Sequence, residues 1–174
     1  KNALVSFGNI LTLTNSAIIS TGTGNVSLAG VAAGTNTLTL AGTGGLTMSG
    51  NFTSTNTAFN FNRDATLAGA TSVSAGSGAI TFKKVDGAQN LTLNTTGNIT
   101  FSDSVGATTR LGTVTVTNAN NFSAGSFKAG SLTQSAGTGT TNFTGTGLNT
   151  TNNINITSSG ITGTYFGLGG QLHS

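Results

Sequence analysis

The sequence predicts an all-β protein: a right-handed parallel β-helix (β-solenoid) with short strands and Gly/Asn/Ser/Thr turns. An antiparallel β-sandwich is the competing fold. Three observations lead there. The composition is nearly free of charge and rich in strand and turn formers, apolar–polar–apolar triplets recur at short intervals, and those triplets fall into a longer repeat.

Of the 174 residues only 5% are charged, against about 25% in ordinary globular domains. Pro, Cys and Trp are absent, 27 residues are Gly, and Thr, Ser and Asn supply nearly all of the polarity. Exposed helix faces depend on Glu, Lys, Gln, Arg and Ala, so this composition argues against helix and for strands and turns. It also resembles that of a disordered linker. Against that reading, Val, Ile, Leu and ten Phe recur along the whole chain, and disordered segments lack β-branched and aromatic residues.

The triplets include Leu11-Thr12-Leu13, Val26-Ser27-Leu28, Leu38-Thr39-Leu40, Leu46-Thr47-Met48 and Phe59-Asn60-Phe61 in the first part of the chain. Ile80-Thr81-Phe82, Leu91-Thr92-Leu93, Ile99-Thr100-Phe101, Val114-Thr115-Val116 and Ile154-Asn155-Ile156 continue the series. Each reads as a period-2 strand with one buried face. Gly22-Thr23-Gly24, Gly42-Thr43-Gly44-Gly45 and Asn118-Ala119-Asn120-Asn121 separate them with residues suited to tight reversals.

Sliding the chain over itself aligns Val26-Ser27-Leu28 with Ile80-Thr81-Phe82 and Thr141-Asn142-Phe143, each preceded by a Gly-x-Gly. The offsets are roughly 54 and then roughly 61 residues, long for a single coil. Residues 1–174 are therefore read as one β-solenoid segment of three degenerate units, about 11–64, 65–125 and 126–174. Each unit holds about three coils of roughly 18–20 residues. Antiparallel hairpins normally announce themselves by Asn-Gly or Asp-Gly turns and longer strands. Short strands joined by irregular Gly/Ser/Thr/Asn stretches favour the solenoid, whose stacked backbone tolerates an uncharged exterior.

Gly78-Ala79-Ile80-Thr81-Phe82, Asn90-Leu91-Thr92-Leu93 with Gly97-Asn98-Ile99-Thr100-Phe101, and Ala136-Gly137-Thr138-Gly139-Thr140 resemble the β-strand repeats of filamentous-haemagglutinin-like exoproteins and autotransporter passengers. The resemblance covers nearly the whole chain and is compositional. It implies a right-handed parallel β-helix, secretion to the bacterial cell surface, and a role in adhesion, biofilm or surface-layer construction. No stretch resembles the amino-terminal secretion domain of two-partner systems. The chain begins at Lys1 without a signal peptide, which fits a processed protein or an excised segment.

Catalytic chemistry finds few candidates. A polysaccharide-cleaving β-helix would need clustered carboxylates with Arg or Lys beside them. Asp64, Asp86 and Asp103, with Arg63, Lys83, Lys84 and Arg110, all fall within residues 63–110. They are expected to be solubilising charges or weak surface ion pairs, because in the long-repeat alignment no charge recurs. His173 is the only histidine, so a histidine metal site or a Ser-His-Asp triad is not expected. The Gly-x-Gly pairs lack the strand–helix context of a dinucleotide loop, and no Asp follows Gly44-Gly45 or Gly169-Gly170 as in calcium-binding nonapeptides. The sequence thus names no catalytic, cofactor-binding or metal residue, and expects no cofactor and no enzyme activity.

The net charge of +3 rests on nine charged residues, and Lys83-Lys84 is the only adjacent basic pair, so no nucleic-acid partner is expected. No apolar run approaches the about 18 residues of a membrane span. Sequons at Asn51, Asn90, Asn98, Asn121 and Asn142 arise readily in so Asn/Thr-rich a chain. The leading functional expectation is a structural or adhesive component of a bacterial cell-surface or extracellular fibre. The expected partners are copies of itself or further coils of the same chain, met through the solenoid ends, and a host or environmental glycan or surface. Alternatives are an ice-binding solenoid, suggested by Thr12/Thr14, Thr37/Thr39 and Thr113/Thr115/Thr117, and a carbohydrate-active β-helix enzyme. In the long-repeat alignment Thr37 and Thr39 become Asn90 and Thr92, then Asn153 and Asn155, so the Thr row fades.

The expected core comprises Val26, Leu28, Leu38, Leu40, Ile80, Phe82, Leu91, Leu93, Ile99, Phe101, Val114, Val116, Ile154 and Ile156. End-to-end association is expected because solenoid ends leave backbone groups unpaired. Neither Lys1–Phe7 nor Ile161–Leu168 reads as a charged cap, unless Tyr165 and Phe166 fold over the last coil as a plug.

Overall fold

The computed structural model describes residues 2–163, together with the backbone of the strands Phe166–Leu168 and Leu172–His173. Tyr165 and the side chain of Phe166, expected as a plug, lie outside this description. Each triplet places two apolar side chains inward and a polar one outward, as strand alternation dictates. Every strand pairing is parallel, and the chain winds through about eight turns of a β-solenoid. The alternative of antiparallel hairpins is thereby excluded among the described residues.

Three walls enclose the core. The first stacks Val5, Val26, Leu46, Ala65, Val85, Val105, Phe127 and Leu148. The second stacks Leu11, Val31, Phe52, Val73, Leu93, Val116, Gln134 and Ile156. On the third, Ala17 and Ile19 pair with Leu38 and Leu40. Higher up, Phe59, Ile80, Ile99, Phe122, Thr141 and Ile161 form a separate run of the same wall. One coil takes from 18 residues (Val114 to Leu132) to 24 (Asn94 to Asn118).

The long-repeat equivalences do not describe stacking. Val26 stands beneath Leu46 on the first wall, whereas Ile80 belongs to the third. The Gly-x-Gly pairs show the true spacing: a Cβ on Gly44 would come within 2.1 Å of the Gly24 carbonyl oxygen directly below. Only glycine lets successive corner loops nest so closely. Other corners use Asn, whose Oδ1 accepts the N–H of the next coil: Asn25 from Gly45, Asn90 from Thr113, Asn98 from Asn121 and Asn121 from Thr140.

All fourteen expected core residues are buried. The core also contains an aromatic column. Phe61, Phe82 and Phe101 stack face to face, with centroids 4.7 and 5.3 Å apart. Phe122, Phe127 and Phe143 extend the column in edge-on or tilted contacts. The strands are not uniformly short: Phe59–Ser74 is one strand of 16 residues that continues around two corners, from the third wall at Phe59 to the first at Ala65 and the second at Val73.

Candidate functional site

The three carboxylates do not form a joint site, since each is engaged locally. Asp64 Oδ1 lies 2.7 Å from Lys83 Nζ, both side chains about half exposed, which is the weak surface pair expected. Asp86 Oδ2 meets Lys84 Nζ at 2.9 Å, and its Oδ1 accepts the N–H groups of Thr108 and Thr109 at 2.9 and 3.1 Å. Burial alone would raise the Asp86 pKa, but the Lys84 contact and the two N–H donors outweigh it and hold the carboxyl below its usual range. The same hydrogen bond raises the Lys84 pKa. Asp103 accepts the N–H of Ser104 at 2.7 Å. Among the described residues no group of three or more His, Cys, Asp or Glu could hold a metal ion.

The expectation of surface roles fails for two cations. Arg110 donates to the carbonyls of Ala129 and Asn149 at 3.0 and 2.8 Å and to Asn149 Oδ1 at 2.6 Å, tying its loop to two coils above. Arg63 is 1% exposed. Its Nη1 donates to the carbonyls of Gly24 and Gly44, both at 3.2 Å, and its Nη2 to Thr21 Oγ1 at 2.9 Å and to the Ala41 carbonyl. Burial pulls its pKa below the ordinary arginine value; the cage replaces the water lost by the two Nη groups without a counter-ion, while the buried Nε has no hydrogen-bond partner among the described residues. Arg63 therefore pins the corners of two lower coils to its own. The signal was present in the sequence: Phe59, Phe61, Arg63, Ala65 and Leu67 share one alternation phase, and all five are buried.

The outward stacks of the second and third walls are uncharged, whereas the first wall carries Asp64, Lys84 and Lys128 on its outside. On the second wall Asn51, Ser72, Thr92, Thr115, Thr133 and Asn155 stack one above another. On the third, Asn60, Thr81, Thr100, Ser123, Asn142 and Thr162 do the same. Rungs are linked through side chains, as between Ser131 Oγ and Thr113 Oγ1 at 3.1 Å and between Thr162 Oγ1 and Asn142 Oδ1 at 3.0 Å. This register corrects the fading Thr row: Thr92 lies under Thr115 and Thr133, while Thr39 lies over Ile18.

Two features interrupt the regular stack. At the first coil, Val5, Leu11 and Ala17 donate their N–H groups upward to Asn25, Gly30 and Thr37. The alternate residues Ser6, Thr12 and Ile18 therefore turn their N–H and C=O groups downward, away from any described strand. Phe7, Leu11, Ala17 and Ile19 are only partly buried, and Ile18 is 72% exposed. The second feature is a cleft of about 230 Å3 in the third wall, lined by Thr37, Leu38, Thr39, Leu40, Thr57, Ala58, Asn60 and Asn62. No family model, curated protein or solved structure matches the chain.

Proposed function

We propose that the chain is a non-catalytic structural and adhesive segment of a bacterial cell-surface or extracellular fibre, reached by secretion, whose coils continue into neighbouring coils of the same chain or into a second copy. The observation that carries this reading is the open first coil. Its downward backbone groups and half-covered Phe7, Leu11, Ala17 and Ile19 match what the next coil up buries against it, and an open strand edge is a template for another strand. The uncharged hydroxyl and amide stacks of the second and third walls and the resemblance to filamentous-haemagglutinin-like repeats support an extended, surface-exposed rod. At about 4.8 Å per coil the eight turns reach only about 40 Å, so a fibre requires further coils or further copies.

Light scattering and electron microscopy of the chain test the reading. Fibres of uniform width, lost in Ser6→Pro and Ile18→Pro variants that delete downward N–H donors while leaving the upward ladder intact, are the expected result. A salt-insensitive monomer at high concentration overturns it.

The in-register Thr92, Thr115 and Thr133 stack favours ice binding as a second reading, because ice contact needs hydroxyls repeated at the coil spacing. Ser72 below and Asn155 above limit the row to three Thr. Thermal hysteresis with crystal faceting, abolished by Thr115→Lys, would place this reading first.

A further inference from the structure

The inward positions of the third wall advance in equal steps of 21 residues through Ala17, Leu38, Phe59 and Ile80. Ladder pairing joins Ala17 to Leu38 and Phe59 to Ile80, but the middle step is missing: Ala17–Ser20 and Leu38–Ala41 form a two-stranded sheet of their own. Because Leu38 and Leu40 stand over Ala17 and Ile19 in a parallel ladder, their own N–H and C=O groups point up towards the next coil. Phe59 donates upward to Ala79. The Asn60 N–H and C=O, the Ala58 C=O and the Asn62 N–H accordingly point down. Donors and acceptors thus alternate along both lips of the cleft with no ladder between them.

The other two walls at the same level are closed. Val26–Leu28 pairs with Leu46–Met48, and Val31 with Phe52, each at one strand spacing of about 4.8 Å. An inserted peptide strand needs twice that separation, which would tear the ladders on either side. A thinner guest with hydrogen-bonding groups on both edges does fit. Hydroxyl groups suit it, since each donates and accepts and can face N–H or C=O alike. The lips add the polar side chains of Thr39 and Asn60, the lining contains no charge, and Ala58 offers apolar surface in front of the buried Leu38 and Leu40. The volume of about 230 Å3 falls just under the range of about 300–1,000 Å3 typical of drug-sized ligands.

We propose that this cleft binds one neutral sugar unit, its hydroxyls bridging the open edges of Leu38–Leu40 and Ala58–Asn62. The site lies on the side wall and is independent of how the solenoid ends associate. It stays accessible in a stacked fibre.

An amide NMR titration tests it, using methyl glycosides of glucose, galactose, mannose and N-acetylglucosamine, with a short extended Val/Thr peptide as comparison. Saturable shifts centred on the amides of Leu38, Leu40, Asn60 and Asn62 are expected with at least one glycoside. Thr39→Val or Asn60→Val, both on exposed side chains, should weaken that binding by about 10-fold or more through loss of one hydrogen bond. Thr92→Val on another wall should leave it unchanged. No saturable shift with any glycoside, shifts spread along the Thr92–Thr115–Thr133 stack, or saturation by the peptide alone overturns the proposal.

Discussion

The first two coils and the coils above them obey the same alternation, yet they are built differently. Below, the core is aliphatic: Leu13, Val26, Leu28, Leu38 and Leu40, with Phe7 and Ile19 only partly covered. Above, eight Phe rings from Phe52 to Phe143 run in continuous contact. The third wall splits at this junction. Phe59 and Phe61 lie parallel at 5.6 Å, with Phe52 edge-on to both, forming a thicker floor than the Leu38/Leu40 pair beneath. Arg63 holds the nearby corner shut, while the middle of the wall between Leu38–Leu40 and Ala58–Asn62 has no ladder.

The largest contrast expected from this picture is between cores. Phe82→Ala should cost about 3–5 kcal/mol in urea unfolding, because it removes a ring stacked on both sides. Ile19→Ala in the half-covered first coil should cost no more than about 1 kcal/mol. Equal losses would mean that the two regions are equally packed and would break the comparison.

Next comes the fastening. Arg63→Met keeps an apolar stem but removes the charged donor shared by three carbonyls: Gly24 keeps the Thr21 hydroxyl and Ala41 the Thr21 N–H, while Gly44 loses the guanidinium with nothing in its place among the described residues, at a cost of about 1–3 kcal/mol. The loss should be regional. Hydrogen exchange should show the amides of Val26, Thr39 and Ala41 losing protection while Ile99 and Val114 keep theirs. Uniform loss would show that Arg63 contributes to the whole stack and does not act as a seam.

These differences were unequally visible in the sequence. Strand positions and inward faces could be read directly, because period-2 triplets such as Ile99-Thr100-Phe101 leave one face to bury. Stacking partners could not, since one triplet looks much like another: Val26 aligns with Ile80 as well as with Leu46, and only the nested glycines Gly24 and Gly44 mark the coil length. The burial of Arg63 was encoded in its alternation phase, but its cage comes from corners 19 to 42 residues away. The cleft left no trace, because the 21-residue step from Leu38 to Phe59 continues the pattern on either side.

A smaller effect sharpens the account of the seam. If ring thickness holds the wall open, the double variant Phe59→Leu/Phe61→Leu should let Leu38–Leu40 and Ala58–Asn62 pair directly. The Asn60 and Asn62 amides should then gain protection, with the four new backbone bonds, at about 1 kcal/mol each, partly offsetting the lost ring burial. Unchanged exchange at these two amides would remove ring thickness as the cause.

The smallest effect is electrostatic and separates the regions by pH. Residues 2–62 contain no charged side chain, whereas Asp86 fastens the loop at Thr108 and Thr109 higher up. Its folded pKa lies below the ordinary 3.8, so the unfolded chain binds the proton more readily. The contribution is therefore complete above the unfolded value and vanishes as pH falls through the folded one. Lys84 behaves inversely: its pKa is raised above 10.5, so its share is complete below that value and fades as pH climbs through the folded one. Acidification below about pH 4 should thus release the Thr108 and Thr109 amides in hydrogen exchange, after correction for intrinsic rates, while Val26 and Ala41 stay as protected as at neutrality. Asp86→Asn should abolish that pH dependence at a cost of about 1 kcal/mol near pH 7. Acid loss spread equally over the first two coils would show that the seam transmits the loop's opening downward, and that the two regions unfold as one.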